Sequence, residues 1–223
     1  MAAKQLPPLV IETCIIAATQ LAVYIGYAVY ITINRGEKTR SSLQLAIVHI
    51  AVGVIGGVWL TVLIGRPRDA PFPRKTLSRV STDWPPIFEV ATHITAAVLL
   101  FDIIFYVLHR LMHTRPLYAL IHFNHHAFHK PSPFAVVYAH PLDYFLTQAL
   151  PVMIVVRTLD AHVLTMVIVG SAGLLAAMYS HSGDLAGIMS HRQHHRQPKE
   201  NFGALGISDT LAGWLVKFHY DQN

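Results

Sequence analysis

Long apolar runs alternate with short polar or proline-rich stretches along most of the chain. Three of the runs cover residues 9–33, 43–64 and 87–108, and each exceeds the roughly 20 residues that a helix needs to cross a bilayer. No run shows the strict alternation of a half-buried strand. The pattern therefore predicts three membrane-spanning helices.

A fourth apolar region, residues 144–179, is too long for one crossing, and Arg157 and Asp160 interrupt it. We expect a helical hairpin with arms at about 144–156 and 162–180, of which the first is short and only dips into the bilayer. The proline-rich residues 66–86 are predicted to form a surface linker. The expected fold is an all-α integral membrane protein with about four transmembrane helices or hairpin arms.

Composition supports this interpretation. The chain is 53% hydrophobic and 13% charged, whereas a typical soluble domain is about 25% charged. Its mean hydropathy is +0.42. Because the chain is so apolar, its net charge of +5 favours anionic lipid headgroups over nucleic acid as the partner. A single cysteine, Cys14, excludes a disulfide within the chain and zinc-finger chemistry.

Histidine is concentrated in the second half of the chain, where 12 of the 15 lie between positions 109 and 195. Dense imidazole is suited to holding a transition metal. The alternative is a solvated, histidine-rich helix surface. The triplet H-x-x-H-H occurs twice, and it comprises His122, His125 and His126 in the first copy and His191, His194 and His195 in the second.

The end of the third apolar run carries further candidates. Asp102, Tyr106, His109 and His113 follow one another at steps of four, three and four, so they share one face of a helix. His109 and His113 have the i, i+4 spacing that lets two imidazoles reach one metal ion. We therefore expect this helix to leave the membrane carrying two ligands.

Every histidine cluster follows the end of an apolar segment, so all of them are expected near one membrane face as a metal-binding cap. Ten imidazoles exceed the about four ligands of a structural zinc and suffice for two metals with open positions. The predicted metal ligands are His109, His113, His122, His125, His126, His140, His181, His191, His194 and His195.

Three carboxylates, Asp102, Asp143 and Asp209, are candidate acceptors for the N–H groups of ligand imidazoles. An ordinary polar contact or a helix cap is the alternative role for each. His129 lies three residues after the first triplet, where a ligand or a surface group is possible, and it is not included among the ligands. His162, at the hairpin tip, is expected far from the metals.

The orientation in the membrane is predicted less directly. Residues 66–86 hold five Lys and Arg residues, which favours the cytoplasmic side for this linker. Simple alternation then places the histidine cap on the other side, unless the glycine-rich second segment is re-entrant. Both arrangements stay open at this point.

The motifs HRLMH, HFNHH and HRQHH, in this order around a membrane hairpin, resemble the fatty acid hydroxylase/sterol desaturase superfamily. The stretch PSPFAVVYAHPLDYFLTQALP is similar to the segment after the second box in sterol C5-desaturases, and MYSHSG matches the family's isolated histidine. NFGALGISDTLAG resembles its closing segment. Arg192 and Ser208 depart from the family pattern, which usually has an acid and an aromatic residue there.

The resemblance implies a membrane di-iron oxygenase that hydroxylates or desaturates a lipid-like substrate (sterol, fatty acyl or a related natural product) at an unactivated C–H bond. It implies electrons from cytochrome b5 or a similar NAD(P)H-dependent reductase, and an endoplasmic reticulum location with the histidine cap in the cytosol. Purified protein could carry zinc at the same imidazoles. The expected division is residues 1–86 for N-terminal transmembrane helices and linker, and residues 87–223 for the catalytic domain.

Two other functions remain open from the sequence. A histidine-rich membrane metal transporter or metal-binding protein would place its ligands along a path through the bilayer. Another reaction of the superfamily, such as methyl-group oxidation or aldehyde decarbonylation, would use the same ligands.

Overall fold

The computed structural model describes residues 8–35, 40–63, 76–128, 132–182 and 191–213. In these ranges the chain is helical, and its only β-type pairing is an isolated bridge between Arg79 and His162. The α-helices of these ranges include α1 (Pro8–Arg35), α2 (Arg40–Leu63), α3 (Ile87–Met112), α4 (Arg115–Leu117), α5 (Pro141–Tyr144), α6 (Leu150–Thr158), α7 (Val163–Ser182) and α8 (His191–Arg196).

The all-helical membrane fold expected from the sequence is confirmed. Among the described residues, three helical segments are long and apolar enough to cross a bilayer: Pro8–Ile31, Ile87–Met112 and Val163–Ser182. Helix α2 coincides with the second apolar run. Helix α3 continues past the apolar run, which ends at residue 108, so His109 lies within its last turn, as the spacing of the histidines predicted.

One face of α3 suits lipid and the other suits protein. Leu99, Ile103 and Val107, spaced by four residues, are exposed. Asp102 and His109 lie on the other side and are fully buried. Because residues four apart share a helix face, this division follows from the sequence spacing. It turns the polar stripe of the helix toward the interior of the bundle.

The helical hairpin expected within residues 144–180 is present, and its first arm begins slightly earlier, at Pro141. Its first arm is a continuous helical run from α5 through a π-helical turn, Phe145–Ala149, into α6. The chain then reverses at Asp160, which adopts a left-handed φ of 54°, and α7 returns. Helix α7 packs against α1 and against the 3-10 turn Pro133–Val137.

Part of the predicted surface linker is buried instead. Thr76, Leu77 and Ser78 are almost inaccessible to solvent. The carboxylate of Glu12 in α1 accepts hydrogen bonds from the backbone N–H of Leu77 at 3.0 Å and of Ser78 at 2.6 Å. The linker composition gave no sign of this contact because its partner lies more than sixty residues away in the chain.

The hairpin tip meets the same segment. The backbone N–H of Arg79 donates to the carbonyl of Ala161 at 2.8 Å, and that of Val163 donates to the carbonyl of Arg79 at 3.0 Å. His162 accepts from the N–H of Leu164 and its other ring nitrogen bonds the carbonyl of Ser81. His162 thus makes local contacts at the hairpin tip, where the sequence placed it, and it belongs to neither of the histidine groups described below.

Candidate metal centre

The end of α3 supplies the first two imidazoles of the site. His109 is buried in the last turn, and His113 is the residue that terminates the helix. Thr114 breaks the helical path, and Pro116 fits the first turn of the short helix α4, where its missing N–H has no consequence. The chain therefore turns directly from one pair of histidines toward the first triplet.

Irregular helical turns present the first triplet. A π-helical turn, Tyr118–His122, is followed by a 3-10 turn, His125–Ala127. Turns of this kind change the direction of successive side chains relative to a regular α-helix, and π turns are frequent at functional sites. All three imidazoles of the triplet are buried.

The second triplet and His181 come from the other end of the hairpin. His181 lies in the last turn of α7, and α8 contains His191, His194 and His195. Helix α8 packs against α7. The ends of α3 and α7 thus bring together residues that are more than eighty positions apart in the chain.

Nine imidazoles form two groups that could each hold a metal ion. Within a group, one nitrogen from each residue lies within 4.8 Å of the others. The groups touch, because the rings of His126 and His195 stack with centroids 4.5 Å apart. The first histidine group comprises His109, His113, His122, His126 and His194. The second histidine group comprises His125, His181, His191 and His195.

Each group takes the first and last histidine of one triplet and the middle histidine of the other. His122 and His126 join the first group, and His125 joins the second. In the other triplet the assignment is reversed, with His194 in the first group. Residues four apart share a helix face, whereas a neighbour points elsewhere. The triplets therefore interlock.

The nitrogen atoms approach closely inside each group. In the first group, the Nε2 atoms of His113 and His194 are 2.9 Å apart, and those of His122 and His126 are 3.1 Å apart. In the second group, the Nε2 atom of His125 lies 3.4 Å from that of His181. Two nitrogens bound at right angles to one ion at about 2.1 Å would be about 3 Å apart.

Four imidazoles are held in one tautomer by oxygen acceptors. The Nδ1–H groups of His109 and His194 donate to the carbonyls of Phe202 and Glu200, at 2.7 and 2.6 Å. Because Nδ1 carries the proton, the Nε2 lone pair is free to face the group centre. Neutral lone pairs that face one another repel, and a cation between them removes the repulsion. The donor set therefore fits a transition metal.

The remaining acceptors complete this picture. His181 donates from Nδ1 to the carbonyl of Ala177 at 2.7 Å. His122 donates from Nδ1 to Oδ2 of Asp143 at 2.9 Å, and both side chains are buried. Asp143 is thus placed where the sequence predicted an acceptor for an imidazole N–H. The buried Nε2 of His109 has no hydrogen-bond partner among the residues described.

Asp102 and Asp209 act on the backbone. Asp102 accepts from the N–H of Leu205 at 2.6 Å and of Ser208 at 2.8 Å. Asp209 accepts from the N–H of Phe202 at 2.8 Å. Both carboxylates therefore fix the loop whose Phe202 carbonyl orients His109, one step further from the imidazoles than expected.

Gly203 explains why this loop can approach the carboxylates. A Cβ atom at this position would lie 2.7 Å from Oδ2 of Asp209 and 3.1 Å from Oδ1 of Asp102. Real Cβ atoms do not sit that close to an oxygen, so a side chain here would push the loop away. Glycine allows both carboxylates to reach backbone N–H groups.

Burial keeps the imidazoles neutral. Desolvation, with repulsion from His194 and His122, lowers the pKa of His113 to about 2. Desolvation is also the main reason that the pKa of His194 falls to about 4, although its bond to the Glu200 carbonyl opposes this. Burial and neighbouring imidazoles lower the pKa of His125 and of His191 well below the usual value. At neutral pH these side chains have lone pairs ready for a metal.

His140 lies apart from both groups. Its Nδ1 accepts a hydrogen bond from the N–H of Leu142 at 3.2 Å, and the residue caps the N-terminus of α5. It is the one predicted ligand that neither histidine group includes. His129 and His219 lie outside the described residues.

Sequence reasoning missed the groups that hold the imidazoles from outside. Phe202 packs its ring 5.2 Å from that of His113 and 5.3 Å from that of His194, besides offering its carbonyl to His109. Tyr118 packs 5.4 Å from His113. A backbone carbonyl leaves no mark in a sequence, so only the fold reveals these contacts.

Comparison with known proteins gives a consistent set of relatives. Residues 94–213 match the family profile described as fatty acid hydroxylase. A fatty acid hydroxylase of Mycosarcoma maydis is 30% identical over 56% of this chain and 37% of its own length. A C-4 methylsterol oxidase of Schizosaccharomyces pombe is 33% identical over 64% of this chain and 51% of its own length.

Fatty acid hydroxylase domain-containing protein 2 of Homo sapiens is 30% identical over 54% of this chain and 37% of its own length. The matched part of the chain thus spans between about a third and a half of these curated relatives. No solved structure matches the chain.

Proposed function

The chain belongs to the fatty acid hydroxylase family, and from this premise we propose that it is a non-haem di-iron oxidoreductase of the membrane. The reaction is O2-dependent hydroxylation or desaturation of an apolar, lipid-like substrate at an unactivated C–H bond. The observation that carries the proposal is the pair of touching histidine groups at the ends of α3 and α7. Relatives that are named as hydroxylases and oxidases support an oxidoreductase.

The nine grouped imidazoles are the ligands we propose, with His140 left to its capping role. Two irons at these groups would supply the power to reduce O2 and oxidise a C–H bond. Asp143, Phe202 and Glu200 keep the Nε2 lone pairs directed inward. Hydroxylation also consumes two electrons and two protons for each O2, so an external donor such as a cytochrome b5 system is part of the proposal.

The proposed setting is the endoplasmic reticulum membrane, with the histidine cap in the cytosol. The three apolar helices support membrane insertion. In the proposed division, residues 87–223 carry the metal ligands, and residues 1–86 supply supporting membrane helices. The ligands gather at helix ends instead of following a path through the bilayer, which favours an enzyme over a metal transporter.

Methyl-group oxidation is the second candidate reaction. The specific observation is the relative named as a C-4 methylsterol oxidase, which covers the largest share of this chain among the three relatives described above. The two reactions differ in product and use the same ligands. Mass spectrometry of lipid extracts from cells with and without the protein distinguishes an alcohol, an alkene and an oxidised methyl group.

Metal analysis and O2 consumption test the proposal together. Purified protein should contain about two irons per chain and consume O2 with a lipid substrate and a reducing system. His194→Ala and His125→Ala, one from each group, should lower the iron content and the activity. His93→Ala, on α3 but outside both groups, is the control. Full iron content without any O2-dependent lipid product would count against an oxygenase.

A further inference from the structure

A large apolar cavity lies between the membrane helices beneath the histidines. Its volume is about 100 Å³, several times the roughly 10–15 Å³ that holds one water molecule. Most of its wall residues belong to α1, α2, α6 and α7, among them Ile16, Val54, Val152 and Leu174. A space of this kind suits the apolar part of a lipid.

A second, smaller pocket touches both histidine groups. Its volume is about 10 Å³, close to the room that one small group or one water molecule occupies. His109 and His122 line it from the first group, and His125 and His191 line it from the second. This pocket therefore offers a position from which a carbon atom would face both groups.

The two spaces share three lining residues: Val136, Tyr144 and Gln148. They therefore meet at this junction. The Tyr144 ring stacks on the His49 ring with centroids 4.7 Å apart. This stacking fixes the position of the Tyr144 ring at the junction. Gln148 lies in the π-helical turn of the hairpin arm, a kind of turn that recurs at functional sites.

Gln148 is half-buried and lines both spaces, and its amide makes no hydrogen bond to another of the described residues. An amide in apolar surroundings costs free energy unless a partner satisfies it. A hydroxyl or carbonyl group of a bound lipid is a suitable partner. A ligand without such an oxygen would leave the amide unpaired. The site should therefore bind lipids that carry a hydroxyl or carbonyl more tightly than lipids that lack one.

We infer that Gln148 holds a hydroxyl or carbonyl of the substrate at the junction, with the apolar remainder in the large cavity. This inference rests on the proposed function. It narrows the substrate class to lipids whose oxidised carbon lies a few bonds from a hydrogen-bonding oxygen. It makes Gln148 a residue that sets specificity and position of oxidation.

Binding of two probes tests this directly. Hexadecanol and hexadecane have the same chain and differ in one hydroxyl, and each is titrated against purified full-length protein in lipid nanodiscs. The wild-type protein should prefer hexadecanol, and Gln148→Met should lower that preference about fivefold, as loss of one hydrogen bond predicts. Equal binding of both probes to the wild-type protein would overturn the inference.

Two further variants locate the contact. Gln20→Met removes the amide of Gln20, which lines the large cavity but not the small pocket, and it should leave the preference within about twofold. Tyr144→Phe removes the phenol at the junction and should have a smaller effect than Gln148→Met. If either of these two variants has the larger effect, the assignment to Gln148 is wrong.

A measurement on the wild-type protein avoids dependence on variants. A hexadecanol analogue with a photoreactive diazirine next to the hydroxyl should label residues 136–148, as mapped by peptide mass spectrometry. Labelling confined to α1 would place the hydroxyl at the other end of the cavity and overturn the inference.

Failure of the inference and failure of the proposed function give different results. Probe binding requires no O2, no reductant and no turnover. If Gln148→Met keeps the preference for hexadecanol and still forms a normal amount of O2-dependent product, only the role of Gln148 is contradicted. The opposite result is also possible. If Gln148→Met loses the preference for hexadecanol and the wild-type protein never forms an oxidised product, the role of Gln148 is supported and the proposed oxygenase function is contradicted.

Discussion

At the residue scale, the orientation of each imidazole depends on what its Nδ1 atom meets. His122 donates to a carboxylate, whereas His109 and His194 donate to backbone carbonyls. The carboxylate of Asp143 is buried, and its Oδ1 has no hydrogen-bond partner among the described residues. Its Oδ2 therefore acts on His122, and this hydrogen bond fixes the tautomer and the ring orientation of that proposed ligand.

Asp143→Asn tests this contact. The change removes the charge with almost no change in shape, so we expect metal affinity to fall by about tenfold while the fold is retained. Competition with a chelator measures the affinity. Asp83→Asn, at an exposed position before α3, should leave it unchanged. Equal affinity in both variants would mean that the carboxylate does not act on the metal site.

At the scale of elements, two close contacts connect the N-terminal helices α1 and α2 to later parts of the chain. The carboxylate of Glu12 ties α1 to the segment at Leu77 and Ser78. Gly56 of α2 faces the ring of Phe145, at the beginning of the π-helical turn. The first contact links α1 to the segment before α3, and the second brings α2 against the first arm of the hairpin.

Glu12→Leu should destabilise the protein. It leaves the buried backbone N–H groups of Leu77 and Ser78 without acceptors, and each such group costs about 1–3 kcal/mol. Thermal unfolding in detergent measures the loss. Thr19→Val on the same helix is the control, since the Thr19 hydroxyl bonds only carbonyls of its own helix among the described residues. Equal thermal midpoints for the two variants would mean that the contact of Glu12 with Leu77 and Ser78 does not stabilise the protein.

Gly56→Ala should also destabilise the protein, by about 1–3 kcal/mol. A Cβ at this position would lie 2.1 Å from Cε2 of Phe145, so the ring or the helix must move. At Gly26 of α1 a Cβ would meet nothing within 4 Å, so Gly26→Ala should be neutral or slightly stabilising. Thermal midpoints of the two variants should therefore differ, and identical values would contradict the close packing.

At the scale of the whole molecule, the fold gathers many neutral imidazoles into one buried region. Burial lowers the pKa of His113 to about 2 and that of His194 to about 4. In the unfolded chain the same side chains take up protons near pH 6.5. The unfolded state therefore binds more protons in acid, and stability depends on pH.

The lowered pKa values make the folded protein less stable as the pH falls. Stability from these groups is full above about pH 6.5 and is lost as the pH falls toward their folded values. We expect the thermal midpoint to drop between about pH 7 and pH 5, before carboxylates protonate. Bound metal should steepen the drop because protons compete for the same nitrogens. A constant midpoint over this range would contradict burial of neutral imidazoles.

Much of this organisation was readable from the sequence because it depends on local pattern. Length and apolar composition predict membrane helices. In the bilayer core there is no water, so a spanning segment must satisfy its own backbone N–H and C=O groups, and a helix does this. Spacing by three and four predicts that His109 and His113 share a face with Asp102. The clustering of histidine predicts a metal site. These features need no knowledge of distant parts of the chain.

Only the tertiary structure decided which imidazoles meet. The triplets interlock, so His125 and His126 belong to different groups although they are adjacent. His140, which the sequence places among the ligands, caps a helix apart from both groups. These outcomes depend on contacts between residues far apart in sequence and on backbone carbonyls. The sequence by itself therefore determined a membrane protein with clustered histidines, because both features are local. Packing of α3, α7 and α8 decided how these histidines are arranged in the candidate metal centre.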